Sequence, residues 1–291
     1  MSLNSQPLFD RNERPDYIPR IGAVHDLCGY GKCSLGVAIP VISAGGCDVC
    51  PVPTGLFSSH TAFPFWSMHD TTEMLPAYLD AWEKVDIELD AVYSGFLGAP
   101  EQVESIQRLY HTHPNALRIV DPVMGDNGKM YPTYTKELCD SMANLADGAD
   151  ILTPNLTEAS LILGIDYPGQ NISNEEAESI INMLRNRGAK NVVIKGVDRE
   201  DGYIRNYVAG RNTPLTELIE EKLPFMLHGT GDLFCSCLTA AIMAGKDVVT
   251  SVDFAGKFVH DAMIVTLEQP NFMSRGVSFE PLLGKVAALL S

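Results

Sequence analysis

The chemistry in this chain concentrates at Gly229-Thr230-Gly231-Asp232. Two glycines let the backbone approach a ligand closely, and the helix-forming run from Leu233 onward aims free N–H groups at the same point. Such a turn can hold negative charge that develops on a transferring phosphoryl group. Asp232, at the helix start, can take a proton from an attacking hydroxyl. The plainer reading of the tetrapeptide is a Gly-rich turn with Asp232 as helix N-cap.

Two acidic constellations accompany it. Asp121-Pro122-Val123-Met124-Gly125-Asp126 follows an apolar run, and Thr153-Pro154-Asn155-Leu156-Thr157-Glu158 runs from a strand end into a helix. Glu158 stands three residues after Asn155, so both side chains can share a face of the first turn. Carboxylates and amide oxygens suit Mg²⁺, usually through waters and substrate phosphates. Each segment, taken singly, also reads as a turn followed by a capped helix. Lys195 closes the apolar run Asn191-Val192-Val193-Ile194, where its ammonium can neutralise a phosphate or simply meet solvent. No G-x-x-x-x-G-K-[ST] occurs and no G-x-G-x-x-G follows the first strand, which disfavours P-loop and dinucleotide chemistry. Cys47 and Cys50 have a zinc-like spacing but no second pair, and residues three apart on a strand face opposite ways.

These residues need a frame that brings them together, and the hydrophobic pattern supplies one. Strands are expected at 21–24, 48–52, 91–94, 118–120, 150–152 and 191–194. Helices are expected near 34–44, 71–84, 101–112, 134–147, 155–163 and 174–187, then 231–245, 249–268 and 279–290. Such alternation means βαβ units, a mainly parallel sheet between two helical layers, with 203–226 as an antiparallel edge. The expected architecture is one three-layer α/β/α domain over 21–291, after a flexible polar extension at 1–20. Ligands of such folds sit beyond the carboxyl ends of the strands. There the chain places His25-Asp26, Ser94-Gly95, Asp121-Pro122, Thr153-Pro154-Asn155 and Lys195-Gly196.

Composition narrows the partners. Lys and Arg number 21 against 37 Asp and Glu, a formal charge of −16, which argues against nucleic acid or an anionic membrane as main partner. No apolar run approaches the ~18 residues of a membrane span, and no signal-peptide core is present. Seven scattered cysteines without a secretion signal point to reduced thiols in the cytoplasm.

The order of these segments resembles the ribokinase-like superfamily and, within it, the pyridoxal kinases. The resemblance spans roughly residues 20–285 and rests on Gly229-Thr230-Gly231-Asp232, Asp121-Pro122-Val123-Met124-Gly125, Thr153-Pro154-Asn155 with Glu158, Val92-Tyr93-Ser94-Gly95-Phe96-Leu97-Gly98, and Phe57-Ser58-Ser59-His60-Thr61. It implies ATP-dependent phosphorylation of the 5′-hydroxymethyl group of a vitamin B6 vitamer: pyridoxal, pyridoxine or pyridoxamine. Asp232 would deprotonate the hydroxyl, while the amides of Gly229, Thr230 and Gly231 stabilise the γ-phosphoryl group. Asp121, Glu158 and Asn155 would organise Mg²⁺ and water around the ATP phosphates, with Asp121 and Glu158 as metal residues. Thr153, Lys195 and Phe234 would line the nucleotide site. Phe57, His60, Thr61 and Phe96 would surround the pyridine. His25 and Asp26 read either as pyridine contacts or as a structural turn. A homodimer, and a monovalent cation such as K⁺, also come with the resemblance.

The chain departs from the pyridoxal kinase pattern at residues 24–33, where Lys32 and Cys33 replace small or amide residues. Hydroxymethylpyrimidine kinases are similar at the glycine turn but commonly carry cysteine where Asp232 stands. Kinases of hydroxymethylpyrimidine or of dual specificity, and a non-catalytic vitamer-binding protein, are the alternative readings.

Overall fold

A computed structural model of the chain describes residues 6–11, 16–270 and 272–291. Its first half runs β1 (Arg20–Cys28), α1 (Leu35–Ala44), β2 (Asp48–Phe57), β3 (Met68–Asp70), α2 (Leu75–Lys84), β4 (Ala91–Ser94), α3 (Pro100–Thr112) and β5 (Leu117–Val120). A small hairpin of β6 (Gly125–Asp126) and β7 (Lys129–Met130) follows, then α4 (Lys136–Ala143), β8 (Ile151–Leu152), α5 (Leu156–Leu163), α6 (Asn174–Asn186) and β9 (Asn191–Asp198). The antiparallel pair β10 (Tyr203–Gly210) and β11 (Thr213–Glu221) precedes α7 (Thr230–Met243), α8 (Val248–Leu267), α9 (Phe272–Arg275) and α10 (Leu283–Ala287).

One sheet takes the order β11-β10-β9-β8-β5-β4-β1-β2-β3 and is parallel from β9 to β2. Successive residues of each central strand enter opposite apolar layers. Ala91, Tyr93, Ile119, Ile151 and Val193 pack with α1, α7 and α8 through Val37, Val41, Leu233, Cys237 and Val252. Val92, Val120, Leu152, Val192 and Ile194 pack with the helices from α2 to α6 through Leu79, Ile106, Leu138, Ala159 and Ile181. Burial on both faces explains why the strands read as unbroken apolar runs rather than alternating ones. The sheet and its two helical layers are the three-layer α/β/α architecture expected from the strand–helix alternation.

Parallel register carries the strand ends to one rim. Val24 pairs with Ser94, Ser94 with Val120, Val120 with Leu152, and Leu152 with Val192. Chain direction reverses about β1, with β2 on one side and β4 on the other, so the ligand crevice of a doubly wound sheet opens beyond Val24 and Ser94.

Several elements differ from expectation. β3 adds a second antiparallel edge, missed because three residues, Met-His-Asp, carry no strand signal. The β6–β7 hairpin, with two residues in each strand, likewise carries none. The helix expected at 71–84 begins at Leu75, that at 134–147 contracts to Lys136–Ala143, and 279–290 breaks into short turns around α10. Of the extension at 1–20, residues 1–5 and 12–15 lie outside the described residues. The rest is anchored: Leu8 and Phe9 pack against the core, Arg11 donates to the Gly46 carbonyl, and the Tyr17 hydroxyl donates to Asp90. Among the described residues no helix is long and apolar enough to cross a membrane.

Gln102 on α3, fully buried, ties the β2–β3 edge to the body. Its amide donates to Thr54 O and Thr72 Oγ1, both at 2.8 Å, while its oxygen accepts from Gly98 N–H at 2.8 Å. Gln102→Leu takes their partner from the Thr54 carbonyl and the Gly98 N–H and should lower unfolding free energy by about 2–3 kcal/mol in urea titration. An unchanged midpoint would remove Gln102 from the account of this edge.

Candidate active site

The helix start at Gly229 is built by exclusion of side chains. Gly229 is the N-cap of α7 with φ 82°, and an added Cβ would stand 1.9 Å from the Lys32 carbonyl oxygen. Only glycine takes this left-handed conformation in this space. No side chain caps α7, so its first amides keep their donors for a ligand. Asp232 is therefore not the N-cap; it stands three positions inside, in the first turn. Burial pushes its carboxyl up to about 7, with the Asp121 and Asp26 charges adding and the Ser34 backbone N–H and Lys195 opposing.

A second group lies alongside. Lys195, at the point where β9 passes β8, is ion-paired to Asp121 and stands 3.8 Å from Glu158. Thr153 donates to Asp121 Oδ1 at 3.2 Å and meets Cys235 Sγ at 3.4 Å. The Lys195 ammonium also lies beside Gly231, 3.8 Å from where a Cβ would be, which joins this group to the α7 turn. Burial pulls the Lys195 ammonium toward neutrality, but the Asp121 and Glu158 carboxylates prevail and hold it charged. Burial raises Glu158 to about 8 against the pull of Lys195.

Asn155 and Glu158 do make the helix cap that was weighed for them. Glu158 N–H donates to Asn155 Oδ1 at 2.9 Å, and Asn155 N–H donates to Glu158 Oε2 at 2.8 Å, a reciprocal capping box. The Asn155 amide also donates to Gly125 O at 2.8 Å, tethering the β6–β7 hairpin. Among the described residues no three His, Cys, Asp or Glu side chains form a self-contained metal cage. Mg²⁺ seldom uses one, holding waters and phosphate oxygens with one or two carboxylates. Asp121 Oδ2 is buried and accepts no hydrogen bond, so Asp121 with Glu158 suits a divalent cation that arrives with phosphates.

The aromatic group forms at the β1–β4 crevice. Phe57 and Phe96 meet edge to face at 5.8 Å, and Phe96 meets Tyr134 in the same way at 5.8 Å. Tyr134 was not anticipated; its hydroxyl takes the Leu97 N–H, and its signal was only a tyrosine in the segment before α4. Asp26 is buried nearby, its carboxyl pushed up to about 6 chiefly by burial. The remaining expected residues stand apart. The fully buried His25 ring contacts Tyr93 at 4.3 Å inside the α1–α7 layer, and burial lowers it to about 3, so it stays neutral. His60 is tied by Nε2 to Ser274 O at 3.0 Å and stacked between Phe63 and His228, Thr61 is exposed on a turn, and Phe234 packs in the core. The Cys47 and Cys50 side chains do diverge into opposite layers, and all seven cysteines are free.

Raised carboxyl groups have a stability consequence. Asp232 keeps its proton in the folded chain up to about pH 7, whereas an unfolded chain loses it near pH 4. It therefore costs nothing below pH 4 and destabilises increasingly as pH rises to 7. Asp232→Asn should melt above the wild-type chain at pH 8 and level with it near pH 4; equal melting at both would contradict this environment.

Residues 39–274 match the phosphomethylpyrimidine kinase family. A pyridoxal kinase PdxY of Pasteurella multocida is 30% identical over 247 residues, 78% of this chain and 82% of that protein. A Bacteroides thetaiotaomicron protein assigned as a phosphomethylpyrimidine kinase, crystallised with pyridoxal, has a TM-score of 0.88 at 32% identity, covering 93% of this chain and 96% of that one. A Leishmania donovani pyridoxal kinase crystallised with ADP and pyridoxamine has a TM-score of 0.82 at 20% identity, covering 92% and 95%, a likeness of fold.

Proposed function

Since the chain belongs to the phosphomethylpyrimidine kinase family and is a kinase of the pyridoxal kinase type, we propose that it transfers the γ-phosphoryl group of ATP to the 5′-hydroxymethyl oxygen of a vitamin B6 vitamer. The observation that carries this reading is the half-buried Asp232 in the first turn of an uncapped helix, beside the Lys195–Asp121 pair.

The Asp232 carboxylate takes the hydroxyl proton as the alcohol oxygen attacks the γ-phosphorus, and the bond to the β–γ bridging oxygen breaks to release ADP. The amides that begin α7 and the Lys195 ammonium stabilise the charge that moves onto the phosphoryl oxygens. Asp121 and Glu158 are the residues that would hold Mg²⁺, which supplies charge neutralisation on the phosphates. Phe57, Phe96 and Tyr134 offer apolar edges to a pyridine ring, and Asp26 offers it a hydrogen-bonding carboxyl group. Catalysis on this reading is positioning and electrostatics, and a cytoplasmic homodimer is the form we assign to it.

The family's own description, a phosphomethylpyrimidine kinase, points toward pyrimidine acceptors, and the second reading is a kinase of hydroxymethylpyrimidine or of dual specificity. ATP consumption with pyridoxal, pyridoxine, pyridoxamine and hydroxymethylpyrimidine decides between them. Faster turnover of hydroxymethylpyrimidine would reverse the order, and vitamer-induced thermal stabilisation without any ATP consumption would make the chain a binding protein. Asp232→Ala should lower kcat by about 10²–10⁴. In the wild-type chain kcat/KM should rise with pH through an apparent pKa of about 7 as Asp232 loses its proton. A flat profile from pH 5.5 to 8.5 would deny Asp232 the role of base.

A further inference from the structure

The turn at Gly229 is held in place from outside, and the residue that holds it is Lys32, in the loop between β1 and α1. The Lys32 carbonyl oxygen sits against two glycines: a Cβ would come within 1.9 Å of it at Gly229 and within 3.1 Å at Gly276. Both glycines are left-handed, at φ 82° and 89°. The Lys32 N–H donates to Arg275 O at 2.9 Å. Its ammonium pairs with Glu280 at 2.7 Å, donates to Ser278 Oγ at 3.2 Å, and lies 5.6 Å from the Phe279 ring centre. The segment it grips is anchored in turn, because Ser278 N–H donates to Thr266 Oγ1 on α8 at 2.7 Å. One residue is thus fixed by its N–H, its carbonyl and its side chain, all at the back of the turn.

We propose that Lys32 is a positioning residue: its latch to Glu280 and Ser278 presses its carbonyl against Gly229 and so sets the direction of the α7 amides that receive the phosphoryl group. This rests on the phosphoryl-transfer reading above. Glu280 is 53% exposed, and an ion pair with an exposed partner adds little to stability. A misplacement of ~1 Å, by contrast, costs on the order of 10²-fold in rate. The latch therefore registers in turnover rather than in melting.

The test compares full-length Lys32→Met, Glu280→Gln, the double variant and Lys32→Arg by melting, by kcat and KM for each substrate, and by hydrogen exchange of the 229–234 amides. Lys32→Met should lower kcat about 10–100-fold while each KM stays within about twofold. Glu280→Gln should reproduce part of that loss, the double variant should lose no more than Lys32→Met alone, and Lys32→Arg should recover most of the turnover. Exchange at 229–234 should quicken in Lys32→Met with melting nearly unchanged. Unchanged kcat in both single variants overturns the proposal, and so does a selective rise in nucleotide KM, which would make Lys32 a phosphate ligand. Exchange needs no substrate: if the wild-type chain turns nothing over, the transfer reading fails alone, and unchanged exchange in Lys32→Met sinks the latch.

Discussion

The buried ion pair between Lys195 and Asp121 is the constraint around which the site is arranged. Asp121 is 1% exposed, and a carboxylate so far from water is costly unless a charge partner and hydrogen bonds replace its hydration. Lys195 supplies the charge from β9 and Thr153, just past β8, one hydrogen bond, since parallel register aligns the ends of β5, β8 and β9. The compensation is incomplete, since Asp121 Oδ2 accepts nothing. A divalent cation with phosphates completes such a site, so the arrangement is poised for a charged ligand at some expense to the folded chain. Removing either partner alone would strand a buried charge; the pair is a unit.

On the proposed function, the same economy lets a chain of net charge −16 serve an anion. Attraction is confined to the uncapped amides of α7, one lysine and the cation that Asp121 and Glu158 can share. Burial raises the Asp232 carboxyl at the same place, and the Asp121 and Asp26 charges add to it. Glu158 has two duties here: it caps α5 through Asn155, and its remaining field acts on Lys195. Structural and chemical readings of one motif are therefore not exclusive, since the capping box is what orients the carboxylate.

Much of the fold was legible because burial on both faces of a parallel sheet leaves an unambiguous trace, apolar runs separated by helical periods. The meeting of Asp121, Thr153 and Lys195 was legible because they directly follow or end such runs, where parallel register must align them. Elements without such a trace are not legible: β3 and the tether from Gln102 to its edge depend on partners distant in sequence, while the two-residue strands of the β6–β7 hairpin are too short to carry a period. His25 followed an apolar run too, yet its ring turned into the core, because on a strand neighbouring residues face opposite layers and Tyr93 occupies the same one.

By itself, then, the sequence determined the layered α/β architecture, the identity of the glycine turn and the short set of acidic and basic groups near it, since each depends on local periodicity or on a residue type nothing else can replace. Tertiary structure decided which of those groups meet. It set Gly229 rather than Asp232 as the cap, turned His60 toward Ser274, brought Tyr134 to Phe96, and seated the Lys32 carbonyl between Gly229 and Gly276. These contacts join residues up to hundreds of positions apart, and distance along the chain carries no record of them. Only packing against the finished sheet selects them.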